Sequence, residues 1–277
     1  MTEVKNQVFD EERALYGSDG ITVTDCRFDG PADGESALKE SRNITVRNSY
    51  FNLRYPFWHD TALEISGCEL TPLCRAALWY TEKATIRNSR LHGIKALREC
   101  EDVTMEGCDV VSAEFGWFSN RLRIRDCRAE GEYLFLRARD LELRDFTMKG
   151  KYSFQYIENA TFDHCVLDTK DAFWHAKNVT VRNSTVKGEY LAWYSEGLTL
   201  ENCRIIGTQP FCYCKDLRLI NCEMVDTDLA FERSTVDADV TTHVISVKNP
   251  YGGRIALPSV GELILTDPNA KAEIVLG

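Results

Sequence analysis

The chain has 277 residues, 44% of them hydrophobic and 27% charged, a composition that supports a packed core and excludes a disordered chain. With 43 acidic against 33 basic side chains the formal net charge is -10, so neither nucleic acid nor an anionic membrane surface is expected as a partner. Eleven cysteines would suit a disulfide framework in a short secreted chain, but here the count is odd and the chain long, which points to free thiols in a reducing compartment.

The chain opens M-T-E-V-K-N-Q, without the basic then apolar run of a signal peptide, and no apolar run is long enough to span a bilayer. A cytoplasmic protein is expected. Residues 1–13 read as an N-terminal cap, and from residue 14 a repeat takes over. Its anchors are Cys26, Ser49, Cys68, Ser89, Cys108, Cys127, Phe146, Cys165, Ser184, Cys203 and Cys222, at steps of 23, 19, 21 and then seven of 19. Two of the early steps are long because residues 28–39 carry four extra residues and 68–79 carry two.

Residues 179–197, V-T-V-R-N-S-T-V-K-G-E-Y-L-A-W-Y-S-E-G, show the unit most plainly. Apolar residues alternate with polar ones on either side of the anchor, the mark of two short strands. Before each anchor stands Asn, Asp, Gly or once His164, and the first three tolerate a left-handed backbone, so a tight corner is expected there. A third strand, typified by Tyr190 to Tyr194, and a polar corner at Ser195-Glu196-Gly197 close the unit. Three short strands per 19 residues predict a parallel β-helix: an all-β fold of about eleven turns, each strand pairing with its equivalents one turn away. One domain spanning 1–277 is expected, with coils over 14–233. After Arg233 the phase fades among Pro250, Gly252, Gly253 and Pro258, and 234–277 read as a C-terminal cap.

Aligning the third strands on the anchor gives one column that reads Lys39, Trp58, Trp79, Arg98, Trp117, Leu136, Gln155, Trp174, Trp193, Cys212 and Phe231, and it holds all five tryptophans of the chain. The column before it, from Phe57 to Ala230, is apolar throughout and is assigned to the core. The tryptophan column admits Lys, Arg and Gln and is assigned to the outside, with the opposite parity as the alternative. The next column reads Glu40, His59, Tyr80, Glu99, Phe118, Arg137, Tyr156, His175, Tyr194, Tyr213 and Glu232. Together they predict an outward strip rich in Trp, Tyr and His.

Such a strip has two natural uses: aromatic faces stack on sugar rings, or the aromatics centre a protein interface. The ligand-binding candidates are Trp58, Trp79, Tyr80, Trp117, Arg137, Tyr156, Trp174, His175, Trp193 and Tyr194. The catalytic candidates are Glu40, His59, Asp60, Arg98 and Glu99. A histidine beside carboxylates on neighbouring turns, about 5 Å apart, has the makings of a general base, while side chains so placed also form plain salt bridges. No histidine stands near Cys212 and Cys214 to complete a tetrahedral zinc set, and no metal or cofactor is expected.

The Asn-type corner, the V-x-V-x-N cadence and the three-strand coil resemble the right-handed β-helices of the pectate lyase type, in which the matching strand lines the substrate groove. The stretches F-D-G-P-A-D-G-E-S-A-L-K-E-S, N-L-R-Y-P-F-W-H-D, L-H-G-I-K-A-L-R-E-C and K-Y-S-F-Q-Y-I-E-N-A resemble, over nearly the whole chain, an uncharacterised bacterial family of small pectin-lyase-like proteins. Clustered calcium-binding aspartates, a paired Asp followed by Gly-His-Gly, and Arg-Ile-Lys are all missing. The expectation is therefore a β-helix that binds or acts on a carbohydrate along the strip; any enzyme activity would be of the polysaccharide lyase or glycoside hydrolase kind. The alternative is a non-catalytic scaffold or homo-oligomer that uses the same strip as an interface.

Overall fold

A computed structural model describes residues 2–29 and 35–277. Part of the extended loop expected at 28–39, namely 30–34, lies outside the described residues, as does residue 1 of the expected N-terminal cap. The chain divides into two compact units, residues 1–142 and 143–277. Both are stretches of right-handed parallel β-helix, and the described residues hold strands and turns without a helix.

In the first unit the long strands Arg42–Arg47, Thr61–Ser66, Glu82–Arg87, Glu101–Glu106 and Asn120–Arg125 pair in parallel, Ile44 with Leu63, Leu63 with Ala84, Ala84 with Val103 and Val103 with Leu122. These residues are buried while their neighbours face water, as the alternation requires. In the second unit Glu158–Asp163, Lys177–Arg182, Glu196–Glu201 and Leu217–Val225 repeat the pattern. Shorter strands such as Arg90–Leu91 and Thr185–Lys187 follow each corner and build a second parallel sheet.

The corner before each of the eleven anchors is left-handed, with φ between 47° and 63° from Asp25 to Asn221, His164 included. Where Asn occupies it, the side chains form a ladder: Asn202 Nδ2 donates to Asn183 Oδ1 at 3.4 Å and Asn221 Nδ2 to Asn202 Oδ1 at 2.8 Å. Glycine fits between asparagines for a steric reason, since a Cβ at Gly67 would stand 2.6 Å from Asn48 Oδ1.

Just past the corner the strand bends, and the anchor's backbone N–H finds a side chain instead of a carbonyl. Cys68 N donates to Ser89 Oγ at 3.0 Å, Cys165 N to Ser184 Oγ at 2.9 Å, and Cys108 N to Cys127 Sγ at 3.3 Å. A small side chain able to accept is what this site selects, which explains why Ser and Cys share the column. All eleven cysteines are buried and unpaired.

Three sequence expectations need correction. First, the third side is mostly not a strand. Among the described residues only Leu78–Trp79 and Leu97–Arg98 pair as one, while 190–194 runs as turns with Tyr190, Ala192 and Tyr194 left-handed at φ 56°, 60° and 61°. Its amides still reach adjacent turns, Ala192 N to Ala172 O at 2.7 Å and Tyr194 N to Cys212 O at 3.1 Å.

Second, the coils number about fourteen, not eleven. Thr2–Lys5 pairs with Ile21–Thr24, and at the other end Thr235–Val240, Gly252–Leu257 and Glu273–Leu276 continue the long-strand sheet. The phase fades there because the register shortens, Thr235 pairing with Gly252.

Third, Phe231 is fully buried against Phe211, with ring centroids 5.9 Å apart, so it belongs to the core column. Tyr213 N bonds Glu232 O, which moves Glu232 into the tryptophan column's register.

Candidate functional site

The left-handed residues of the third side decide how the strip is presented. A regular strand would alternate inward and outward, but here one inward residue is followed by two that face out. In the second unit Phe154, Phe173 and Ala192 are buried, Gln155, Trp174 and Trp193 are half-buried, and Tyr156 and Tyr194 are exposed. The outward parity is therefore observed for the tryptophans, with the indoles forming a partly covered layer beneath the next column, while Cys212 of the same column is fully buried.

In the first unit that layer is a continuous stack of rings and cations. Lys39 Nζ lies 4.5 Å from the Trp58 ring, the Trp58 and Trp79 centroids are 5.3 Å apart at 12°, and Arg98 lies 5.3 Å from the rings of both Trp79 and Trp117. Outside it, His59 stacks on Tyr80 at 4.9 Å, followed by Glu99 and the exposed Phe118 and Arg137.

In the second unit Trp174 and Trp193 stack at 5.5 Å and 5°. Their indole N–H groups donate to carbonyls one turn on, Trp174 to Tyr190 at 2.7 Å and Trp193 to Gln209 at 2.8 Å, and Gln155 Nε2 makes the equivalent bond to Asp171 at 3.0 Å. Above them runs a ladder of near-parallel rings: Tyr156 to His175 at 4.7 Å, His175 to Tyr194 at 5.0 Å and Tyr194 to Tyr213 at 4.8 Å. Burial pushes the Tyr213 phenol upward.

The expectation that ring faces are offered to a ligand is corrected by this stacking. Within the second unit's ladder the faces are turned to neighbouring rings, which leaves a row of ring edges, phenol oxygens and imidazole nitrogens on the outer side.

The predicted catalytic set comes apart. Asp60 does not stand beside His59 on the surface: its side chain is fully buried, Ser41 N donates to Oδ1 at 2.9 Å, and Oδ2 has no partner among the described residues. Desolvation raises its pKa to about 8. Glu40 does neighbour His59, but it accepts a hydrogen bond from Tyr16 and pairs with Lys39 at 3.6 Å, and the Tyr16 bond leads in holding its carboxyl below the usual range. Arg98 is clamped between two indoles and pairs with Glu99 at 3.2 Å and Glu114 at 3.8 Å. Hydrolysis by a carboxyl pair needs one acid kept protonated within reach of substrate, and here the raised carboxyl of this set is the sealed one.

One participant escaped the sequence reading. Extending the register back one turn places Tyr16 in the tryptophan column, since Gly17 N bonds Lys39 O as Tyr194 N bonds Cys212 O. Among the described residues the buried Nε1 atoms of Trp58 and Trp79 have no partner, unlike those of Trp174 and Trp193 in the second unit. Away from the strip, a cavity of about 410 Å³ lies against the corner ladder of Asn183, Asn202 and Asn221, but its charged lining, Arg204 and Glu223, is already paired at 3.2 Å.

Among solved structures the chain is similar to the surface adhesin PfbA of Streptococcus pneumoniae, at TM-score 0.40 and 9% identity over 81% of this chain and 72% of that one. It is also similar to the A-module of the Azotobacter vinelandii mannuronan C-5 epimerase AlgE4, at 0.39 and 11% over 99% and 89%. A hyper-glycosylated TibA fragment gives 0.42 and 9% over 99% and 100%. At these values the likenesses carry no functional argument. No curated protein sequence matches the chain. A family model does, over residues 2–275 and so over nearly all of the repeat just described: the chain belongs to the family described as protein of unknown function, DUF3737.

Proposed function

We propose that the chain is a non-catalytic carbohydrate-binding β-helix, which holds an extended oligosaccharide along the outer ladder of the second unit. The observation that carries this reading is the regularity of the ladder. Tyr156, His175, Tyr194 and Tyr213 repeat at 4.7 to 5.0 Å, and each turn brings a ring edge and a group that can donate or accept a hydrogen bond to one line. A row of near-identical contacts matches a ligand that is itself a row of near-identical units, about one sugar per turn. The stacked indoles below form a stiff floor, so little ordering entropy is lost on binding.

Glycan-array screening with intrinsic tryptophan fluorescence tests this. Binding that Tyr156→Ala and Tyr194→Ala each weaken at least tenfold is expected; silence across the array counts against it.

A protein partner is the second reading, favoured by one observation: the ladder's ring faces are turned to one another, and an exposed edge such as that of Tyr194, at 47%, suits insertion into a partner's pocket. Concentration-dependent self-association, or capture of a protein that Tyr194→Ala abolishes, would support it.

A further inference from the structure

Resting on the saccharide reading, we infer that the ligand is a neutral glycan and that the ladder discriminates against polyuronates. The ladder of the second unit carries no charged side chain over Tyr156, His175 and Tyr194, leaving aside the imidazole. Its flanks carry charge in an arrangement that does not match a carboxylate facing the row on every sugar. Two residues past each ladder position, across one buried residue, the outward row reads Glu158, Lys177, Glu196, Lys215, and these face one another in register from turn to turn. The sign reverses at every turn. A chain with a carboxylate on each sugar, laid along this row at one sugar per turn, would meet a cation at one turn and a carboxylate at the next.

On the other flank the cations are engaged. Lys170 lies between Asp171 at 3.9 Å and Glu189 at 3.4 Å, with its ammonium also 5.7 Å from the Tyr190 ring, and Lys151 leans over Tyr152 at 5.5 Å. Beyond the last ladder rung, Lys248 pairs with Glu232 at 3.1 Å and Arg233 with Asp267 at 3.5 Å. Neither flank offers the run of unpaired cations that a repeating carboxylate needs, and the glutamates supply the repulsive element that specificity against an anion calls for. Hydroxyls, in contrast, find phenol and imidazole partners on every turn without regard to sign.

The test compares matched ligands on the intact chain. Cello-, xylo-, manno- and malto-oligosaccharides are titrated beside oligomers of glucuronate, galacturonate and mannuronate, at low and at high sodium chloride. The expected result is binding of at least one neutral series, unchanged within about twofold between about 50 mM and about 500 mM salt, with every uronate series at least tenfold weaker. The exposed Glu196→Gln variant removes the carboxylate between Lys177 and Lys215, and it should narrow that gap through uronate binding that falls as salt rises. Uronates binding more tightly than neutral chains to the wild type would overturn the inference and leave the saccharide reading standing. Binding of neither class would overturn both.

Discussion

The indoles of Trp174 and Trp193 lie face to face, 5.5 Å between centroids and 5° apart in plane, each tied by its N–H to a carbonyl of the following turn. A ring held on its face and at its nitrogen is part of the frame, and the frame sets where the outer ladder stands. Trp193→Ala should therefore cost about 2 to 3 kcal/mol in denaturant unfolding, less than a fully buried ring because Trp193 is half-exposed. Trp193→Phe keeps the stack and loses the bond to Gln209, for about 1 kcal/mol. Equal costs for the two variants would mean that the stack contributes nothing.

The buried Asp60 makes a pH prediction whose sign is fixed by its raised pKa of about 8. Folded, the group keeps its proton until the pH nears that value; unfolded, it releases it near 3.9. Between these values the folded state binds the extra proton, so this contribution to stability is whole below about pH 4 and declines as pH rises towards 8, by at most about 1.4 kcal/mol per unit. Asp60→Asn should flatten the fall between pH 5 and pH 8 in denaturation midpoints. Parallel wild-type and variant curves would show that Asp60 ionises freely in the folded chain.

The anchor column offers a test that separates size from hydrogen bonding. Cys127 Sγ accepts the backbone N–H of Cys108 at 3.3 Å. Cys127→Ser keeps an acceptor in the same place and should stay within about 1 kcal/mol of wild type, while Cys127→Val leaves that buried N–H unmatched and should cost about 1 to 3 kcal/mol despite its greater hydrophobicity. Unfolding midpoints of the two variants decide it; a Val variant as stable as the Ser variant would remove the hydrogen-bond account of the column.

Much of the fold was legible because its rules are local. A left-handed corner admits few residue types, so Asn48, Gly67 and Asn183 mark it wherever they stand, and the small buried acceptor after each of them keeps the count. The third side was misread as a strand because its residues, Tyr190 to Tyr194, are aromatic and strand-like in composition, while the alternating left-handed φ values that shape it are carried by Tyr and Ala, which do not advertise them. That Asp60 points inward could not be seen beside the exposed His59, since the odd-even rule fails where the backbone turns left-handed at His59 itself, φ 62°. The strip's position was legible from the tryptophans. Its presentation, edges out and faces stacked, was not, because ring orientation depends on the neighbouring turns and leaves no trace in composition.

A crystal structure of the chain soaked with a neutral oligosaccharide found by array screening tests the binding claim most directly. The account predicts a sugar chain lying along Tyr156, His175, Tyr194 and Tyr213, about one residue per turn, with its hydroxyls bonded to the phenol and imidazole groups. A sugar seated elsewhere, with this ladder bare or buried against a second copy of the chain, would contradict it.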